Sequence, residues 1–355
     1  MHISKKNRIF ARFLYMRMRK IIIVALVALA LFGLGKLLFF PGYMTVKEDA
    51  QKQEYFIPSY ASVDSVLSLL QEDYSFSPLY FWNKQVKKQQ LEQVHPGHYA
   101  FGDKVKFEEV VRSLKRGEQA PVKLTFTHTV RTPEQLAQRL SKQLMLDSAS
   151  IAGRMYDAEY MSRYGLTPQT AISLFLPDTY EVYWSMSADQ LFDRMAKEYK
   201  RFWTDERKSK AAQVKLTQSE VATLASIVES ETNNQKEYPT IASIYLNRLR
   251  LRIPLQACPT VIFAERDFGK RRVLKRDLEF DSPYNTYKHR GLPPGPIRCT
   301  RKSTMDAVLN APKTDYLYMC ANPDFSGTHV FTKSLQEHNR VSAAYQKELN
   351  KRHIK

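Results

Sequence analysis

The chain has 355 residues, 43% hydrophobic and 12% aromatic, which excludes a disordered polymer and allows two domains of ordinary size. Its formal net charge of +18 suits anionic partners such as a membrane surface or acidic glycans. No RRM-like or zinc-finger pattern accompanies that charge, so nucleic acid is excluded as the expected partner.

Residues 1–20 hold Lys5, Lys6, Arg8, Arg12, Arg17, Arg19 and Lys20 and no acidic residue. Residues 21–40 follow with Lys36 as their one charge. Twenty apolar residues in a helix match the thickness of a hydrocarbon core, and Lys36 can snorkel to the far interface. The positive-inside rule then predicts a basic cytoplasmic tail over 1–20, a transmembrane helix over 21–40 and the bulk of the chain outside. Phe39, Phe40 and Pro41 stand where a cleaved leader would carry an Ala-x-Ala-like site, so a single-pass anchor is expected.

Residues 41–55 read as a linker and 56–130 as a small α+β module. Val63, Val66, Leu67 and Leu70 recur with helical spacing. His95-Pro96-Gly97-His98-Tyr99 reads as a turn, its histidines as surface residues. A helix over 107–114 stops at Gly117, and alternating Val122, Leu124 and Phe126 read as a strand. Residues 131–212 form a connecting helical region of the functional domain: Thr132 caps a helix with Pro133 at its first position, residues 174–184 are extended and aromatic, and 189–203 are helical.

Residues 213–355 are the expected core of the functional domain. Thr217 with Glu220 is a capping box, and Val221, Leu224, Ala225 and Val228 make one apolar helix face. The far end of this helix carries Glu229 and Glu231. A carboxyl there sits at the negative pole of the helix and beside apolar packing, and both effects raise its pKa, as a general acid requires. Helix geometry alone leaves the choice between the two open. A second helix, 238–251, carries Asn247 and Arg248. Loops at 255–260, 282–287 and 291–297 are rich in Pro, Gly, Asn and Tyr. Pro stiffens them, and their Gln, Thr, Asn and Tyr side chains suit a sugar polymer. A strand at 316–321, a turn at 325–329 and a helix from 334 close the chain.

Cys258, Cys299 and Cys320 show no CxxC or Cys/His spacing and predict neither a disulfide framework nor a zinc site. There is no G-x-S-x-G elbow and no H-E-x-x-H. His329 and His338 are nine apart and read as core or loop histidines.

Several stretches, in this order, resemble the membrane-bound endolytic murein transglycosylases (MltG- and YceG-like proteins). They are ASIVESET (225–232), IYLNRL (244–249), LQACPTV (255–261), SPYNTY (282–287), GLPPGPI (291–297), GTHVF (327–331) and EHN (337–339), with LFLPDTYEV (174–182) ahead of them. The resemblance implies an inner-membrane anchor with its N-terminus in the cytoplasm, a LysM-like module and a periplasmic mixed α/β catalytic domain built on the helix that carries the catalytic Glu. The fold class expected is therefore α+β. It places the catalytic carboxyl on Glu229, with Glu231 as the alternative. Gln256, Thr260, Asn285, Tyr287 and Asn247 become the expected sugar-binding residues. Cys258 departs from the pattern, where the family usually has Asp, and any role for a carboxylate there is lost.

The reaction implied is cleavage of the bond between MurNAc and GlcNAc in nascent peptidoglycan strands, leaving a 1,6-anhydroMurNAc end, with no metal or cofactor. Cell-wall synthases are the implied protein partners. The competing class is a non-catalytic, membrane-tethered peptidoglycan-binding scaffold for those synthases.

Overall fold

Helix α1 (Lys5–Phe39) contains the expected apolar run, and its segment Arg12–Lys36 is long and apolar enough to cross a membrane. Ile22, Leu26, Leu29 and Phe32 are all more than half exposed, a surface that lipid covers at less cost than water. The computed structural model describes residues 5–50, 53–270 and 272–352. It divides into two units, Met1–Ala120 and Pro121–Lys355.

After α1, the first unit continues as β1 (Tyr43–Val46), β2 (Glu54–Ile57), α2 (Val63–Asp73), β3 (Tyr74–Phe76), α3 (Leu79–Gln89), β4 (Gly97–Ala100), β5 (Lys104–Lys106) and α4 (Phe107–Arg116). Ser62 caps α2 by accepting the Ser65 N–H at 3.1 Å, and Gly117 ends α4 at φ 66°. Strands β2 and β4 pair antiparallel with α2 and α3 between them in sequence, while β1 lies between β3 and β5. Ile57, Leu70, Trp82, Tyr99, Phe107 and Leu114 fill the core.

Three expectations change here. The supposed linker contains β1. Residues 79–89 form a helix that no local sequence signal marks, burying Phe81 and Trp82. The supposed turn at 95–99 runs into β4, and His98, expected on the surface, is buried with Nδ1 3.2 Å from the Ala120 carbonyl. Strand pairing is a non-local bond, so a Pro-Gly turn signal does not register it.

The second unit runs β6 (Val122–Phe126), α5 (Pro133–Ser141), α6 (Ser148–Tyr156), α7 (Ala158–Ser162), β7 (Asp178–Val182), α8 (Ala188–Phe202), α9 (Asp205–Gln213), α10 (Gln218–Glu231), α11 (Tyr238–Arg250), α12 (Cys258–Glu265), α13 (Lys302–Leu309), β8 (Tyr318–Ala321), β9 (His329–Thr332) and α14 (Leu335–Lys351). The fold is thus mixed α+β. Strand β6, expected to end the 56–130 module, pairs antiparallel with β7, more than fifty residues on, and belongs to this unit. Residues 131–212 lie in this unit as well: Leu136, Phe175 and Phe192 share one core with Leu224 and Ile241.

Helix α10 is the axis of that core. Every residue from Val221 to Glu229 is buried, so the single apolar face read from the sequence is in fact a helix covered all round. It packs against α9, α11, α12 and α13. Each of Val221, Leu224, Ile227 and Val228, fully buried, contributes about 1.5–3 kcal/mol of transfer free energy. The segment 291–297 closes over it, with the Ile297 N–H donating to Ser226 Oγ at 3.0 Å. Gly295 permits this approach, because a Cβ there would collide with the Gln169 carbonyl oxygen.

Candidate active site

The capping box expected from the sequence fixes where α10 starts: Glu220 N–H donates to Thr217 Oγ1 at 3.2 Å and Thr217 N–H to Glu220 Oε2 at 2.7 Å. Its last turn then presents two acids with opposite surroundings.

Glu229 points into the protein, with its side chain 1% exposed. Its Oε2 accepts the Arg301 N–H at 3.0 Å, at the N-terminal end of α13, where a negative group is favoured by the helix dipole. Arg301 Nη1 lies 3.1 Å from Oε1 without hydrogen-bond geometry. Arg298 Nη1 donates to the Glu229 carbonyl oxygen, and Arg301 Nη2 is 2.6 Å from His128 Nε2. Burial pushes the Glu229 carboxyl upward, partly offset by the Arg301 N–H and by the Arg298 and Arg301 charges. Burial and the same two arginines hold His128 down to about 4. This cluster ties the end of α10 to the start of α13 and to the loop after β6.

Glu231, two residues on, lines a groove of about 420 Å³ formed by the end of α10, α11, the start of α12, the β8–β9 hairpin and α14. The residue is half-buried, and its Oε1 accepts a hydrogen bond from Tyr245 Oη at 2.6 Å. Burial raises its carboxyl above the ordinary range, partly offset by Tyr245, His329 and Arg248. Hollows of about 530 Å³ beside Arg139 and about 470 Å³ beside Lys208 are larger, yet no acidic side chain lines either.

Of the expected sugar-binding residues, Gln256 and Tyr287 line this groove. Gln256 sits at φ 51°, a left-handed conformation costing a non-glycine residue about 1–2 kcal/mol. Its N–H donates to the Thr286 carbonyl at 3.1 Å, which pins it there. Tyr287 Oη lies 3.1 Å from Cys258 Sγ, and burial keeps both groups in their neutral forms by raising their pKa values.

Thr260, Asn285 and Asn247 are not in the groove; their polar atoms serve the fold. Thr260 Oγ1 donates to the Ala257 carbonyl at 2.7 Å. Asn285 Nδ2 holds the carbonyls of Leu278 and Phe280, both at 2.8 Å. Asn247 Nδ2 holds those of Thr314 and Tyr316. Buried loops must satisfy their carbonyls, and these side chains do so. The segment 258–265, read as loop, is α12 with Pro259 in its first turn.

Four groove residues had no role in the sequence reading. Tyr245 and Arg248 stand three apart on α11, on one helix face. Arg248 is buried: its Nε donates to the Leu317 carbonyl at 2.7 Å and its Nη1 to those of Pro254 and Leu255 at 3.0 Å. It therefore staples the floor of the groove. His329, expected in a core or loop, lines the groove with Nδ1 2.9 Å from Glu237 Oε2. Tyr318, its ring 5.2 Å from the Arg248 guanidinium carbon, completes the wall. The i, i+3 spacing of Tyr245 and Arg248 was the one local signal available; the other two come from distant segments.

The chain is similar to several known proteins. An endolytic murein transglycosylase of Bacillus subtilis is 45% identical over 138 residues, covering 39% of this chain and 38% of that protein. An endolytic murein transglycosylase of Streptococcus pneumoniae is 24% identical across 91% of this chain and 65% of its own length. The chain thus spans less than two thirds of the curated relatives it matches. The crystal structure of a yceG-like protein of Listeria monocytogenes aligns with a TM-score of 0.54 and 29% identity, over 82% of this chain and 99% of that one. Residues 55–344, most of both units, match the YceG-like family, and the chain belongs to that family.

Proposed function

We propose that the protein is a membrane-anchored endolytic lytic transglycosylase that cleaves peptidoglycan glycan strands, with Glu231 as its general acid and base. The observation that carries this reading is the contrast between the two acids. Glu231 has a carboxyl raised by burial and still open to a groove, whereas Glu229 is closed off behind Arg301. The catalytic role first expected of Glu229 therefore passes to Glu231.

In the proposed reaction, protonated Glu231 gives its proton to the oxygen linking MurNAc to GlcNAc, and the C1–O bond breaks toward that oxygen. The MurNAc C6 hydroxyl closes on C1 as it gives its proton to the Glu231 carboxylate, leaving a 1,6-anhydro end without consuming water. A nucleophile held in the same sugar ring has the advantage of proximity. One carboxyl then suffices where ordinary glycosidases use two. Tyr245 steadies the acid, and Gln256 and Tyr287 are placed to contact sugar hydroxyls. Thr260, Asn285 and Asn247 shape the loops that carry those contacts.

The antiparallel β2–β4 pair with α2 and α3 between its strands supports a LysM-like, glycan-binding role for the first unit. The basic residues before Arg12–Lys36 support an inner-membrane protein whose N-terminus is cytoplasmic and whose remaining chain is periplasmic. Digestion of purified sacculi by the full-length protein, with Glu231→Gln as control, tests the reading. New anhydro ends from the parent and none from the variant are expected. Binding without anhydro ends from the parent would instead establish the scaffold for cell-wall synthases.

A further inference from the structure

His329 is anchored more firmly than a hairpin residue needs to be. It opens β9, and Glu237 grips it twice: Oε1 accepts the His329 backbone N–H at 2.7 Å and Oε2 lies 2.9 Å from the ring Nδ1. Thr232 Oγ1 donates to the same Oε2 at 3.3 Å. Glu237 itself is buried. When the ring is neutral with Nδ1–H donating to that carboxylate, its lone pair lies on Nε2, which makes no hydrogen bond among the described residues. A carboxylate that fixes an imidazole, whose other nitrogen is free in a groove beside an acid, is the arrangement of an oriented base. His338 lines the same groove but offers no such arrangement, since its ring stacks on Tyr318 at 5.3 Å and no carboxylate holds it.

We propose that His329 is a second catalytic residue of the groove, the base that takes the C6 hydroxyl proton, with Glu237 as its positioning residue. This inference rests on the transglycosylase reading and divides its proton work between two groups. Glu231 gives its proton to the leaving oxygen, which departs with the electron pair of the C1–O bond as a neutral hydroxyl. His329 Nε2 takes the proton of the C6 hydroxyl, and an oxygen lone pair forms the new O6–C1 bond. Glu231 ends as carboxylate and His329 as imidazolium, with Glu237 as counter-charge. Return of one proton from His329 to Glu231 through solvent restores both, and no oxidant or other co-reactant is used. The acid therefore does not have to turn from the leaving oxygen to the incoming one within a single turnover.

The test uses the full-length protein in detergent micelles, acting on uncrosslinked glycan strands, with anhydro ends counted by mass spectrometry. His329→Ala is expected to lower kcat about 100-fold, the ordinary share of one acid–base group, and to leave KM within about twofold. Added imidazole is expected to restore part of the loss, and Glu237→Gln to lower kcat in the same direction. If His329→Ala melts early, His329→Gln, which retains a donor toward Glu237, takes its place under the same criteria. A kcat within about threefold of the parent, or a loss that imidazole leaves untouched in a normally melting variant, overturns the assignment. The parent and Glu231→Gln are run alongside: no anhydro ends from the parent would bring down the underlying transglycosylase reading, anhydro ends from Glu231→Gln would remove Glu231 as the acid, and activity lost in Glu231→Gln but kept in His329→Ala removes only His329.

Discussion

Glu229 and Glu231 lie two residues apart on the last turn of α10 and face opposite ways. The Glu229 carboxyl is 3.1 Å from Arg301 Nη1 inside the protein, while the Glu231 carboxyl meets Tyr245 Oη at 2.6 Å in the groove. Two steps along a helix turn the side chain by about 200°, so the pair straddles the helix, one acid held inside the protein and the other at the groove.

Separate losses follow for the two acids. Glu231→Gln should abolish release of anhydro ends, by about 100-fold or more, while the protein melts no earlier than the parent. Glu229→Ala should destabilise the second unit by about 2 kcal/mol, because Arg301 loses its partner beside a buried site. That corresponds to a Tm lower by roughly 4–8 °C in a domain of this size. Activity per folded molecule should survive. Thermal melts and product counts on both variants check this, and the reverse pattern would return the catalytic role to Glu229.

The raised pKa of Glu231 has a consequence for stability. Between the unfolded carboxyl value and the higher folded one, the folded state holds more protons than the unfolded state, so stability falls as pH rises through that window. The contribution is fully present below the unfolded pKa and lost above the folded one. Glu231→Gln removes this penalty, so its Tm should exceed that of the parent by more at pH 8 than at pH 4. Paired melts at the two pH values decide the matter; an equal difference at both contradicts it.

Tyr245 favours the charged form of Glu231 through its hydrogen bond. Tyr245→Phe removes that bond, worth about 0.5–1.5 kcal/mol, and should raise the Glu231 pKa further. The alkaline limb of kcat/KM, where the acid loses its proton, should then move upward by up to about one pH unit. A limb that stays in place, or moves down, rules out Glu231 as the titrating group.

Cys258 is exposed at the groove, whereas Cys299 is buried. Burial of the sulfur raises its pKa, so alkylation by iodoacetamide should be slow at pH 7 and accelerate as the thiolate forms. Modified protein should lose activity, and Cys258→Ala should be protected from that loss. Peptide mapping after partial alkylation checks the site; inhibition that persists in Cys258→Ala would move the blame to Cys320, which lines the same groove.

Local signals carried the helices that have their own caps. Thr132 with Pro133, Ser334, Gly117 and the Thr217–Glu220 box each mark a helix end through bonds spanning three or four residues, and the structure has them all. Periodicity also gave α10 an apolar face, although the helix is buried on every side from Val221 to Glu229. The sequence determined the self-capped helices and that an acidic helix end stands before Asn-, Gln- and Tyr-bearing loops. Only the tertiary structure decided which acid meets the groove. The partners that make that choice, Arg301 for Glu229 and Tyr245 and His329 for Glu231, come from 14 to 98 residues away, and no local pattern encodes such distances. The same holds for β4, for the β6–β7 pair and for Asn247, whose hydrogen bonds close across the chain; for Thr260 and Asn285, polarity alone does not reveal which polar groups face sugar and which face a carbonyl.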